Sequence, residues 1–344
     1  EEYLRMIDIF VSNADIVRDS TSMSKVVRSL FPEIDVVCGI PRGGVLPANI
    51  IATRLARPCN TPDLLERGEC WWTSSTFVDN NRHYYGNDFT VKMNFSKAKI
   101  LLVDDTSFNP LGTLERVKQR LLTKFPKATI YKSSVYAMSN TKKHLDFYCK
   151  VISRNHWFEK DFLIRKITGT VAADMDGFLC RDPRPEEVLD DNLYLKFINE
   201  ATPYMIPYYR LDYVVTGRLE RYRAITEMWL AAHGVKYGTL IMQPPEVAMV
   251  REGTDHVLFK SNFLSKNNVG FYIESSQRQS EAIYKRSRVQ TMCVDPMQLF
   301  GATNIGYEYH PSFQGYKNLE HPVESNVELG NINKPNAHPN YLFP

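Results

Sequence analysis

Ala98–Leu114 reads AKILLVDDTSFNPLGTL: an apolar run ends in two adjacent carboxylates, Asp104 and Asp105, and a polar loop leads to Gly112-Thr113. Side-by-side acids disfavour each other's ionisation and are costly to bury, so a purely structural role accounts for them poorly. Carboxylates at a strand end accept from sugar hydroxyls or hold the waters of a Mg²⁺. A glycine and a hydroxyl at a helix start offer backbone N–H groups and a positive dipole end to a phosphate. The set suits a sugar phosphate. Upstream, GIPRGG follows another apolar run, and there Arg42, Gly43 and Gly44 can bring a guanidinium and backbone amides against a second anion such as pyrophosphate. A third acidic group, in VAADMDGFLC, places Asp174 and Asp176 two residues apart before Gly177, a spacing that lets both carboxylates approach one Mg²⁺. Taken singly, PRGG is ordinarily a turn, Asp-Asp a helix cap and Asp-turn-Gly a common bend. Their recurrence in order, each after an apolar strand, favours chemistry.

The elements that must position these residues alternate. IDVVCGI, KILLVDD and TIYKSSVYA each precede a helical pattern, which predicts an open, mostly parallel sheet. The alternation restarts after Thr170 with GTVAADMD, LDYVVTG, VGFYIESS and VQTMCVD. The fold class expected is α/β in two domains, residues 1–165 and 166–300, each a mostly parallel sheet flanked by helices, with an irregular extension over 301–344. Between the domains, RNHWFEKDFLIRK reads as a packed connector. Leu64–Asp88, with Trp71, Trp72, His83, Tyr84 and Tyr85, is irregular, as functional or mobile loops are.

The 344 residues suit two domains of roughly 100–200 residues each. A net charge of +3 without a basic block gives no case for direct nucleic-acid binding, and no apolar run nears the ~20 residues of a membrane span. Six scattered cysteines without a CxxC pair read as reduced thiols in the cytoplasm, and the histidines show no zinc spacing. The chain opens at Glu1 without methionine, so flanking fused domains are expected to be missing; a homo-oligomer is the other assembly considered.

The two loops of the first half resemble the pyrophosphate and phosphoribosyl pyrophosphate (PRPP) loops of type I phosphoribosyltransferases. The resemblance covers roughly residues 1–160 and implies PRPP contacts from Arg42, Gly43, Gly44, Asp104, Asp105, Thr106, Gly112 and Thr113. The family usually shows two acids, a short spacer and then Thr-Gly-Gly-Thr or similar; here the spacer TSFNPL before Gly112-Thr113 is slightly longer and carries Pro110. HWFEKDF resembles the family's aromatic hood, which puts Trp157 and Phe158 against the substrate.

DMDG resembles motif I of the haloacid dehalogenase (HAD) phosphatases. That implies a HAD-like Rossmannoid fold with a minimal cap, with Asp174 as nucleophile and Asp176 as general acid and base. Thr216 would bind the phosphoryl oxygen, Lys260 would offset its charge, and Arg218 would touch substrate; Lys266 and Lys285 are weaker claimants for the lysine. Asp174, Asp176 and Glu274 would hold Mg²⁺, Glu274 standing where the family usually has aspartate.

Joined, the halves imply a bifunctional ribofuranosyltransferase. Phosphoribosyl transfer from PRPP to a saccharide, with inversion and loss of pyrophosphate, precedes removal of the 5-phosphate, with Mg²⁺ at both sites. The architecture is similar to systems of bacterial polysaccharide biosynthesis (O-antigen or capsule), with a lipid-linked acceptor met at the inner face of the membrane. The alternatives are a nucleobase phosphoribosyltransferase coupled to a nucleotidase, and a non-catalytic PRPP sensor.

Overall fold

Two parallel sheets are built from the apolar runs, each placing its acids where neighbouring strands diverge in chain order. The computed structural model describes residues 7–71, 90–92, 94–244, 254–303 and 308–313. β1 (Ile9–Val11) leads into α1 (Asn13–Leu30), whose start is closed by a capping box. Ser12 Oγ accepts from the Asp15 N–H at 3.0 Å, and Asp15 Oδ2 accepts from the Ser12 N–H at 2.9 Å. The fully buried β2 (Val36–Gly39) follows, then α2 (Val45–Leu55), β3 (Cys59–Asn60), α3 (Pro62–Glu66), β4 (Glu69–Trp71) and β5 (Thr90–Lys92). β6 (Lys99–Ser107), α4 (Thr113–Lys124), β7 (Thr129–Ala137), β8 (Phe147–Val151) and β9 (His156–Phe158) complete this half.

The parallel strands of the eight-stranded sheet lie in the order β8-β7-β6-β2-β3, with antiparallel β4 and β5 beyond β3. Chain order reverses between β2 and β6. In open α/β sheets a ligand crevice lies at such a switch point, outside the carboxyl ends of the strands. The loop after β2 carries Arg42, Gly43 and Gly44, and β6 carries Asp104 and Asp105.

The second half repeats this logic with β10 (Val171–Ala173), α5 (Pro185–Leu189), α6 (Asp191–Glu200), β11 (Leu211–Leu219), α7 (Arg223–Ala232) and β12 (Tyr237–Gln243). Then come α8 (Thr254–Lys266), β13 (Phe271–Ser276), α9 (Gln277–Ser287), β14 (Gln290–Asp295) and β15 (Met297–Phe300). The order is β12-β11-β10-β13-β14-β15, with only β15 antiparallel, so the switch point falls between β10 and β13. Asp174 follows the first of these strands and Glu274 lies in the second.

The class is therefore α/β, with mostly parallel sheets flanked by helices. Residues Glu1–His310 form one compact unit and Pro311–Pro344 a second, of which the described part is the 3₁₀ turn Pro311–Phe313. Ile7, Phe10, Phe162 and Ile167 pack into the core of the second sheet. Gln290 clasps the Ile7 backbone, accepting from its N–H at 3.0 Å and donating to its carbonyl at 2.6 Å. The connector is packed, as its aromatic composition implies.

Two segments differ from expectation. Part of the irregular Leu64–Asp88 stretch is ordered as β4, because the open edge of β3 offers backbone partners; Trp72, His83, Tyr84 and Tyr85 lie outside the described residues. In the extension after Gly301, β16 (Glu308–Tyr309) pairs antiparallel with β8, and Glu308 meets Lys142 at 2.6 Å. Among the described residues no helix is long and apolar enough to cross a membrane.

Candidate functional site

At the first switch point the loop after β2 folds tightly onto β6. The Ile40 N–H donates to Val103 O at 2.9 Å, and the Gly44 N–H to Ile40 O at 2.8 Å. Space dictates both glycines. A Cβ on Gly44 would stand 2.3 Å from Val103 O, and one on Gly43 2.3 Å from Asp105 Oδ2. Arg42 is exposed above them.

Asp105 is buried and paired with Lys160, while Asp104 Oδ1 accepts from the Asp105 N–H at 2.9 Å. Burial, then the neighbouring Asp105, pushes the Asp104 carboxyl up to about 8. Buried Thr106 Oγ1 has no hydrogen-bond partner among the described residues. The loop beyond turns on Asn109, whose carbonyl accepts from the Gly112 N–H at 2.9 Å. Gly112 then caps α4, and Thr113 is exposed at its start. The structure thus converges Gly43, Gly44, Asp104 and Asp105, with Arg42 at the rim. Gly112 and Thr113 stand at the far end of the Asn109 turn.

At the second switch point Lys260 joins two carboxylates. Its Nζ lies 2.6 Å from Asp174 Oδ2 and 2.8 Å from Glu274 Oε2, and all three side chains are buried. Burial works against the ammonium, yet the two carboxylates outweigh it and hold the Lys260 pKa up. Burial and Glu274 push Asp174 upward despite Lys260. The Lys260 ammonium thus bridges the two acids.

Asp176 is held by Arg218, whose Nη2 donates to Oδ1 at 2.6 Å. Gly177 turns the chain with φ +79°, and a Cβ there would meet Ser275 Oγ at 2.3 Å. Asp174, Asp176 and Lys260 line a cleft of ≈ 590 Å³, with Asp182, Gly217 and Arg218.

A model of the phosphoribosyl transferase domain matches the first half. The match spans residues 14–164. The chain carries a phosphoribosyl transferase domain there. A search of the curated proteins returned no match. Among solved structures, it is similar to a Helicobacter pylori xanthine-guanine-hypoxanthine phosphoribosyltransferase (17% identity, 44% of this chain, 91% of that one, TM-score 0.32). It is also similar to a Pyrococcus horikoshii purine phosphoribosyltransferase (17% identity, 44% and 93%, TM-score 0.31). A chain of the Pnkp1/Rnl/Hen1 RNA repair complex overlaps more of the length (14% identity, 83% and 94%, TM-score 0.25).

Several side chains sit differently from expectation. Trp157, at the edge of the phosphoribosyl transferase domain, packs against the second sheet's core, with Arg165 5.6 Å from its ring centroid. Phe158 is buried against Tyr136 with ring centroids 5.6 Å apart. Both rings pack because consecutive residues of β9 face opposite ways, Trp157 toward the second sheet's core and Phe158 toward Tyr136 on β7. Arg218 is fully buried, so it braces Asp176 where substrate contact was expected. Thr216 is sealed from solvent, its hydroxyl accepting from the Arg218 N–H at 3.1 Å.

The oxygen donors of Asp174, Asp176 and Glu274 suit a hard cation. Their arrangement does not: Lys260 sits between Asp174 and Glu274, and Arg218 occupies Asp176. Among the described residues no three metal-capable side chains group together.

The sequence reading missed Lys160, which is quoted within HWFEKDF but overshadowed by its aromatic neighbours. It also missed Phe108, exposed beyond the acid pair and stacked on His156 at 5.2 Å, and Asp182, a few places beyond the DMDG turn. Phe108 carried a signal, since an apolar ring in a polar loop after two acids has no core to enter.

Proposed function

We propose that the chain is a bifunctional ribofuranosyltransferase acting through PRPP, the first half transferring and the second removing the phosphate. The observation that carries it is the repeat of one device. Each sheet sets its acids at its own switch point, one beside an anion-ready glycine loop and the other on a buried lysine.

In the first step PRPP binds as its Mg²⁺ complex, the metal belonging to the substrate. Asp104 and Asp105 accept from the ribose hydroxyls, and the Arg42–Gly44 loop receives the pyrophosphate; Thr106, Gly112 and Thr113 lie on the 5-phosphate side. The C1–O bond breaks with its electron pair leaving on pyrophosphate. A saccharide hydroxyl forms the new bond to C1 from the opposite face and gives up its proton to the departing pyrophosphate or to water. Positioning and charge stabilisation are the protein's contribution.

In the second step the Asp174 carboxylate attacks phosphorus as the P–O bond to the sugar breaks, and Asp176, oriented by Arg218, gives the leaving alcohol its proton. Asp176 then takes a proton from water, which attacks the phosphoryl group on Asp174 and releases phosphate and the free carboxylate. Lys260 holds Asp174 and offsets phosphoryl charge. The residues as arranged do not fit a Mg²⁺ shared by Asp174, Asp176 and Glu274, and no step is routed through one. The domain limits proposed remain 1–165 and 166–300.

A saccharide acceptor is favoured because the hood's Trp157 and Phe158 are committed to packing, leaving them unable to sandwich a base. A second reading, a nucleobase acceptor with a nucleotidase second half, draws on the near-parallel Phe108–His156 pair, interplanar angle 20°. Asp174→Asn protein, given Mg²⁺, PRPP and mixed saccharides and nucleobases, decides between them by mass spectrometry. A trapped phosphoribosyl saccharide that wild type dephosphorylates supports the first reading. A trapped nucleotide replaces it with the second.

A further inference from the structure

Lys160 is the unassigned cation at the first site. It sits in the short turn Glu159–Asp161 directly after β9, and the turn is fixed from two sides. Toward the first half, the Glu159 carboxylate accepts from the Asn13 N–H and from Asn13 Nδ2, each at 2.7 Å, so the turn is tied to the start of α1. Toward the second half, Phe162 is buried against Phe178 with ring centroids 5.8 Å apart, and its carbonyl accepts from Tyr209 Oη at 3.2 Å. A side chain on so short and doubly anchored a turn is presented in a defined place.

That place is the acid pair. The Lys160 ammonium lies 5.2 Å from the Phe158 ring centroid and is paired with Asp105. A Cβ on Gly43 would come within 2.5 Å of the same ammonium and 2.3 Å of Asp105 Oδ2. Ammonium, carboxylate and the backbone of the glycine loop therefore meet at one point. An anion seated on the Gly43 side of that loop would lie beside the Lys160 ammonium. The side chain is 31% exposed, while its partner Asp105 is nearly sealed. A lysine ammonium has three donors, and Asp105 does not exhaust them.

We infer that Lys160 is a PRPP ligand whose ammonium spans Asp105 and the pyrophosphate oxygens held by the Arg42–Gly44 loop. The inference rests on the PRPP reading of this site and adds a residue to it. Lys160 forms no covalent bond. Its charge neutralises Asp105 before PRPP arrives and meets the negative charge that grows on pyrophosphate as the C1–O bond lengthens. Because its turn is anchored in the second sheet's core, the first site is completed by a residue that the second half helps to hold.

The test uses the full chain and calorimetric titration with Mg²⁺-PRPP and, separately, Mg²⁺-pyrophosphate. Wild type, Lys160→Met and Lys160→Arg are compared, with melting temperatures recorded for each. Losing one charge-assisted contact should weaken both ligands roughly tenfold to hundredfold in Lys160→Met. Lys160→Arg should recover most of that loss, and the melting temperatures should stay close to wild type. Equal affinities in wild type and Lys160→Met overturn the inference while leaving the PRPP reading intact. Weakened PRPP with unchanged pyrophosphate also overturns it, by moving Lys160 to the ribose. A wild type that binds neither ligand overturns the PRPP reading itself, and the inference with it.

Discussion

Arg218 and Asp176, 42 positions apart in sequence, are locked together at the cleft floor: Nε donates to both carboxylate oxygens at 3.1 Å and Nη2 to Oδ1 at 2.6 Å. The Arg218 side chain is 0% exposed, against 18% for Asp176, so the guanidinium is sealed and the carboxylate still opens to the cleft. Under the proposed function, Arg218 braces the general acid. Removing the brace as Arg218→Met should lower kcat for phosphomonoester hydrolysis by roughly a hundredfold or more, on the scale of a lost acid–base group. It should also destabilise the fold by about 3 kcal/mol, because among the described residues Asp176 then keeps only the weak Cys180 thiol as a side-chain donor. A lysine ammonium is a point charge and cannot reproduce the guanidinium fork, so Arg218→Lys should rescue little. Steady-state kinetics and urea denaturation check both effects; wild-type kcat in Arg218→Lys would show that the brace is unnecessary.

Lys260 makes a stronger demand. Its substitution leaves Asp174 and Glu274 as neighbouring buried acids, and breaking a buried pair costs about 3–5 kcal/mol. Lys260→Met should therefore lower the urea midpoint clearly and abolish phosphatase turnover. Glu274→Gln added to Lys260→Met should restore part of the stability without restoring activity, a coupling that a double-mutant cycle measures. Additive losses would mean that Lys260 and Glu274 do not depend on each other.

Both switch-point acids were legible because an apolar run that ends in carboxylates marks a strand's carboxyl end, and alternation with helices implies a parallel sheet. Legibility stopped where side chains from distant segments decide the outcome. Ile7 and Phe10 look like ordinary apolar residues of the first half, yet they complete the second half's core because the β1–β9 pair lies beside it. Trp157 and Phe158 looked available for substrate, since sequence carries no sign of which side of a short strand is covered. The three acids expected around one Mg²⁺ are instead answered by Lys260 and Arg218, a pairing visible only once β11, α8 and β13 are side by side. β16 was illegible for another reason: a two-residue strand has no periodicity and exists only because β8 offers it an edge.

A buried ion pair away from both sites sets an alkaline limit on stability. Lys150 on β8 lies 3.0 Å from Asp19 on α1, and Tyr136 Oη donates to the same carboxylate at 2.7 Å. Burial opposes the Lys150 charge, but Asp19 outweighs it and raises the pKa above 10.5. A raised value means that the stabilisation is complete below 10.5 and is lost as pH climbs through the folded-state value. Tyr136, raised first by burial and then by Asp19, loses stability in the same direction. Lys150→Met should cost about 3 kcal/mol at neutral pH and flatten the alkaline fall in the urea midpoint. An unchanged alkaline slope would assign that fall to other groups.

Asp104 should show the opposite balance between stability and function. Its carboxyl, held up to about 8 by burial and by Asp105, keeps a proton in the folded chain that the unfolded chain loses near 3.8. Over that interval the folded state binds more protons, so wild-type stability falls as pH rises from about 3.8 to about 8 and then levels. Asp104→Asn removes both the titration and the like-charge contact with Asp105. The variant should be more stable than wild type by about 1 kcal/mol or more above the upper limit, as substitutions at strained active-site positions often are. It should lack that part of the slope and, above the upper limit, where the wild-type group is a carboxylate, bind PRPP roughly tenfold more weakly, because a neutral amide accepts a ribose hydroxyl less strongly than a carboxylate. Urea midpoints across the interval and PRPP titrations measure the two halves of the exchange. Lower stability in Asp104→Asn would make this carboxyl a structural hydrogen-bonding group, and unchanged PRPP affinity would remove it from the PRPP site.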